Sequence, residues 1–323
     1  MMRNTVRLLL KNVPTPMAGL ALGIASLGWC LENALALSGA GQLAGAVIAA
    51  LLLLALTGKF LLHPTLLSED LRHAVVGSVV PTYAMGWMVV SKALSAYCPV
   101  AGQILWLAAV AVHLVCLVVF IWHRSQAFRL HHMVPSWFVP PVGIIVAAVA
   151  SPGGPFNPMA NLLLDIGMMC YTVMLPVMLY RLIFCDEIAD AAKPTIAIMA
   201  APASLSLAGY LTVVEHPSLL ICAVLLGIAL LMTAITYVAF IRLLRLPFSP
   251  GFAAFTFPMA IGATALYKLA HYLGEWPLAQ GYARQLHRLA TIEVTIATVI
   301  IGYVIVRYLM NYLVQVKPPL LQQ

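Results

Sequence analysis

Short polar breaks divide the chain into apolar runs, all but the short fifth of about twenty residues or more, the length needed to cross a bilayer core. A backbone in that setting must satisfy its own hydrogen bonds, and within a single continuous segment only a helix does so. The runs predict helices at 15–37, 41–62, 74–95, 99–123, 135–151, 158–184, 194–214, 217–244, 250–272 and 286–312. Prolines 135, 140 and 141 make the start of the fifth the hardest to place. Ordinary soluble domains are roughly a quarter charged, whereas here 8% of residues are charged and 63% hydrophobic. The expectation is therefore one all-α integral membrane domain over residues 1–323.

The net charge is +7, but the Lys and Arg residues stand singly between apolar runs. They form no patch that would bind nucleic acid, and their distribution reads as topological. With the N-terminus inside, Arg3, Arg7, Lys11, Lys59, Arg72, Arg124, Arg129, Arg181, Lys193, Arg242, Arg245, Arg307 and Lys317 fall on the inner side. Only Lys92, Lys268, Arg284 and Arg288 fall outside. The positive-inside rule then puts both termini in the cytoplasm, and the first run reads as a retained helix rather than a cleaved signal. Six scattered cysteines without a CxxC pair imply neither a disulfide framework nor a metal site, and no cofactor is expected.

Prolines give the arrangement its repeat. Pro81, Pro141, Pro202 and Pro258 recur at intervals of about sixty residues, each in an odd-numbered run, and Pro16 extends the series loosely. Among the even runs only the sixth has an interior proline, Pro176. Prolines are commoner in membrane helices than in soluble ones, but their regular spacing argues for five hairpins, each a proline-bearing helix followed by a more regular one. The odd runs are also rich in small residues such as Gly19, Gly23, Gly143, Ala203 and Gly262, which allow close packing. Proline bends a helix and frees a carbonyl, tolerable at membrane depth only against protein or a water-filled cavity. Five odd helices around an axis, sheathed by five even ones, meet both demands. Bent helices would also expose amides and partial positive charge, enough to favour small anions weakly. The four outer cations could add electrostatic attraction.

Intramembrane acids are functional candidates by default, and Asp165 and Glu293 each lie about two turns into an even run. That placement favours structural roles, such as Glu293 pairing with Lys268 or Asp165 within a subunit contact. Glu32, Glu69, Asp70, Asp186, Glu187 and Asp190 lie near helix ends and read as solvated. His113, His123, His131 and His132 show no metal spacing, and most of them read as loop or interface residues. There is no HExxH or GxSxG, and Ser136 and Ser204 have no evident His partner, so no enzyme is expected.

Several segments in order carry a family resemblance: Pro14-Thr15 with Gly19, Leu22 and Gly23; Pro135-Ser136-Trp137-Phe138-Val139-Pro140; Pro176-Val177-Met178-Leu179; Ala201-Pro202-Ala203 with Ala208-Gly209-Tyr210-Leu211; and Phe255-Thr256-Phe257. Through them the chain resembles the tellurite-resistance/dicarboxylate transporter family, which includes the plant slow anion channel. The resemblance implies ten transmembrane helices in five hairpins with quasi-fivefold symmetry around a central pore, a homotrimer in the lipid of a bacterial inner membrane, and small anions as substrate. It also implies a phenylalanine gate in the ninth helix, matched by Phe257. Pro16, Gly19, Gly23, Pro81, Pro141, Pro202, Phe255 and Pro258 become pore-lining or kink candidates. The chain departs from the bacterial pattern at Pro258, where a small residue would follow the aromatic. A proton-coupled dicarboxylate or sulfite exporter is the alternative within the family, and a non-transporting membrane scaffold the alternative outside it.

Overall fold

Apolar runs this long fold as helices because the helix closes its backbone hydrogen bonds within each run, and in the computed structural model every regular element among the described residues, 2–315, is helical. The principal segments are α1 (Met17–Leu35), α2 (Ala40–Leu62), α3 (Val76–Ser95), α4 (Pro99–Ser125), α5 (Pro135–Val149), α6 (Gly154–Phe184), α7 (Lys193–Val213), α8 (Leu219–Leu243), α9 (Pro250–Gly274) and α10 (Gln280–Gln315). Two further helices, Met2–Lys11 and Pro64–Arg72, were not anticipated from the sequence. Among the described residues eight helices are long and apolar enough to cross a membrane, and a ninth span joins them if Pro64–Arg72 and α3, which meet at 105°, are taken together. The segment α5 is apolar but shorter. Lys317 and the side chain of Arg3, both assigned inward from the sequence, lie outside the described residues.

Burial separates the segments into two classes. In α7 and α9, 83% of the most apolar window is buried, and in α1 61%, against 28–39% in α2, α4, α6, α8 and α10. Every residue of α5 is buried except Pro141, which is half-buried. Large apolar side chains such as Leu51, Val118, Met169, Leu220 and Val299 stand exposed on the even helices. Apolar surface that extensive fits lipid rather than water.

The inner segments close a ring. Successive odd helices pack side by side from α1 to α9, and α9 packs back on α1. Each even helix lies against its own hairpin partner and also touches the next odd helix around the ring, α10 closing onto α1.

One expectation about the prolines is corrected. They do not kink the middle of regular helices; they mark the places where regular α-helix begins. Pro16 and Pro81 immediately precede the α-helical stretches Met17–Leu35 and Thr82–Ser95. Pro202 and Pro258 are the second residues of Ala201–Val213 and Phe257–Gly274, after 3-10 leads over Lys193–Ala200 and Pro250–Phe255. In α5 a 3-10 turn, Pro135–Phe138, runs into the α-turn that carries Pro140 and Pro141. The first helical turn has no use for its N–H groups, so a residue lacking one fits there without loss. Pro176, which lies outside the series, sits inside the continuous helix of α6.

Where the inner segments depart from continuous α-helix, carbonyls are left without helical partners, and side chains reach in to satisfy them. His113 of α4 is fully buried, and its Nε2 lies 2.8 Å from the Pro140 carbonyl. Trp106, also of α4, donates to the Ala147 carbonyl at 3.1 Å, and Tyr308 of α10 donates to that of Pro250. Ser136 accepts a hydrogen bond from Ser78 across α3 and α5, and Ser204 donates to Ala200 within α7.

Candidate functional site

The starts of the five inner α-helical stretches meet at one place. A cavity of about 400 Å³ opens there, and Pro16, Thr82, Val139, Ala201 and Phe257, one residue from the start of each, line it. The residues that line it furthest along their helices are Leu22, Met85, Gly143, Leu205 and Pro258. Its inner end is therefore apolar, and its walls are helix N-termini. Each N-terminus has free or weakly used N–H groups and carries the positive end of the helix dipole. Because proline removes donors from these turns, the cavity offers a diffuse positive potential with few strong bonds.

Of the residues singled out from the sequence, Pro16, Gly19, Pro202, Phe257 and Pro258 line the cavity. Gly23, Pro81, Pro141 and Phe255 do not. Phe255 is fully buried on the far side of its turn, with its ring 4.9 Å from that of Phe252 and 5.3 Å from that of Phe240 in α8. Phe257, two residues on, is 8% exposed and faces the cavity. Thr256 between them donates its hydroxyl to the carbonyls of Ala253, at 2.7 Å, and Gly19, at 3.1 Å, which ties the turn to α1. Gly23 lies against the same turn: a β-carbon there would come within 2.3 Å of Thr256 Oγ1 and 3.1 Å of the Phe257 nitrogen. The absence of a side chain at Gly23 is what lets the turn before Phe257 sit on α1.

One group at the cavity wall was missed from the sequence. Lys59, near the end of α2, is buried and lines the cavity together with Thr15 and Asp70. Its Nζ donates to Thr15 Oγ1 at 2.8 Å and lies 3.6 Å from Asp70 Oδ2, and the Thr15 hydroxyl donates to the same carboxylate. Lys59 and Asp70 are the cation and the anion among the lining residues. From the sequence Lys59 counted only toward topology and Asp70 as solvated. The available signals were a lysine inside an apolar run and a threonine flanked by two prolines.

The other charged groups are placed as follows. Glu32 is not free in solvent: it accepts the backbone N–H of Gly39 at 2.7 Å and of Gly41 at 3.2 Å, at the start of α2. Glu187 and Asp190 pair with Lys193 at 3.3 and 2.7 Å. Glu293 is buried and takes its hydrogen bond from Tyr237 of α8; among the described residues it forms no ion pair with Lys268, contrary to the expected pairing. With Ser204 and Gly262 it lines a second, very small cavity of about 10 Å³. Asp165 is exposed on the outer face of α6. Among the described residues no three His, Cys, Asp or Glu side chains gather as a metal would require.

Two transporters of Methanocaldococcus jannaschii, both named as uncharacterized, are similar to the chain. One is 25% identical over 228 residues, covering 63% of this chain and 67% of the relative. The other is 26% identical over 215 residues, covering 59% of this chain and 62% of the relative. The family model described as voltage-dependent anion channel matches residues 14–309, from the turn that carries Thr15 to the closing stretch of α10. The chain belongs to the voltage-dependent anion channel family.

Proposed function

We propose that this protein conducts small anions across a bacterial inner membrane, through a pathway enclosed by α1, α3, α5, α7 and α9 and closed by the ring of Phe257. In this reading all ten segments cross the membrane, α5 and the bent α3 included. They form five hairpins related by approximate fivefold symmetry, and both termini are cytoplasmic. The observation that carries the reading is the convergence of five helix starts on the cavity beside Phe257. Positive helix ends favour an anion, and the scarcity of strong donors lets it leave again, as conduction requires. An aromatic ring at an apolar narrowing keeps ions out by excluding water. The family supports anion transport, and the relatives named as transporters support movement of a solute.

The deciding experiment is electrical recording from reconstituted protein. Phe257→Ala should raise anion conductance at least tenfold over the unaltered chain, with nitrate and chloride carried in preference to potassium. A silent or cation-selective Phe257→Ala channel, in protein that elutes and melts like the parent, would remove this reading.

A second reading, a proton-coupled exporter of a dicarboxylate or sulfite, draws on Glu293, a buried acid beside Ser204 and Gly262. It requires flux driven by a pH gradient and abolished by Glu293→Gln. We further assign the outward-facing Asp165 to a contact between copies of the chain in a homotrimer.

A further inference from the structure

We infer that Lys59 and Thr15 form the anion-binding site of the cavity, and that Asp70 occupies this site as a tethered counter-anion which the travelling ion displaces. The inference rests on the anion-conducting reading and assigns that pathway its binding residues.

Three observations carry it. First, the Lys59 ammonium is buried at the cavity wall, where an unpaired cation is unfavourable, so a negative group must stand beside it. Second, the group now beside it is a carboxylate that accepts the Thr15 hydroxyl and lies within ion-pair range of Lys59 Nζ, 3.6 Å away, while that ammonium donates to Thr15 Oγ1. A planar oxyanion of similar size, such as nitrate or the carboxylate of a small organic acid, can take the same hydroxyl and face the same ammonium. Third, the two partners differ in how firmly they are fixed. Lys59 is 8% exposed on α2, whereas Asp70 is 24% exposed and belongs to the helix Pro64–Arg72, none of whose residues is buried. That helix turns through 105° into α3, and at its end the Arg72 carbonyl accepts a hydrogen bond from Arg124. The carboxylate can therefore swing away while the lysine stays. With Asp70 in place the lining is neutral; with Asp70 displaced it carries one positive charge, which the incoming anion neutralises.

The test uses nitrate as probe and full-length protein. In a Phe257→Ala background, Asp70→Asn removes the competing carboxylate and should lower the half-saturating nitrate concentration about tenfold. Lys59→Gln should raise it by a similar factor, and Lys59→Arg should stay near the parent. If Phe257→Ala carries nitrate but these substitutions leave half-saturation unchanged in folded protein, the site is wrong and the conduction reading stands. If Phe257→Ala carries no anion, the conduction reading fails, and the site is judged by nitrate-dependent thermal stabilisation in detergent. Asp70→Asn should then respond at lower nitrate than the parent, and equal responses would overturn the site. Should Asp70→Asn alone not fold, the paired variant Lys59→Gln/Asp70→Asn leaves no buried charge unpartnered. Its loss of nitrate stabilisation supports the site, and its retention overturns it.

Discussion

The hydroxyl of Thr256 occupies the space that a β-carbon on Gly23 would need, with only 2.3 Å between the two positions. The turn that presents Phe257 is thus seated on α1 through a missing side chain. Gly23→Ala must push the turn outward, at a cost of about 1–3 kcal/mol. It should lower the melting temperature and alter conductance through the displaced ring. Adding Thr256→Ala clears the space and should restore much of the stability, and a double-mutant cycle on thermal unfolding measures the coupling.

His113 keeps the Pro140 carbonyl from being buried without a partner. His113→Leu fills similar space but leaves that carbonyl unsatisfied, so it should destabilise the protein by about 1–3 kcal/mol. Loss of midpoint in thermal unfolding tests this. Hydrogen exchange should rise first in Pro135–Val149, the segment it anchors, rather than in α4.

Tyr237 and Glu293 separate the two transport readings. Tyr237→Phe strands the buried carboxyl and should cost about 1–3 kcal/mol of stability, whereas Glu293→Gln keeps an acceptor for the tyrosine and should cost less. If the protein is an anion channel, Glu293→Gln conducts like the parent; if it is a proton-coupled exporter, flux under a pH gradient stops.

Asp165 faces outward from α6 among side chains such as Leu162, Ile166 and Met169. In a subunit contact, Asp165→Leu should shift native mass spectra from trimer toward monomer at equal detergent concentration, while the melting of the single chain holds or rises. An unchanged assembly would place the aspartate against lipid headgroups instead.

Much of the helical layout was legible because bilayer length and apolar runs admit few alternatives. The runs at 41–62 and 99–123 match α2 and α4 to within two residues. The proline series marked the correct positions but was read as kinks. Whether a proline bends a helix or begins one depends on the residues before it, and a 3-10 lead such as Lys193–Ala200 has no distinctive hydrophobic period. Phe255 and Phe257 cannot be told apart from composition, because two residues in a tight turn point in opposed directions that only the packing against Phe240 and α1 settles. Lys59 and Asp70 were missed for a different reason. They are eleven positions apart, on two helices joined at His63, and nothing local to either says that the chain folds one onto the other.

Three side chains that hold the interrupted stretches of the inner segments sit on the outer helices: Trp106 and His113 on α4, Tyr308 on α10. A genetic screen for inactive alleles should therefore recover buried positions on the outer helices nearly as often as positions facing the cavity. A map of such alleles would trace which helix props up which stretch of the lining, and substitutions far from the ion's route would belong on it as fully as Phe257.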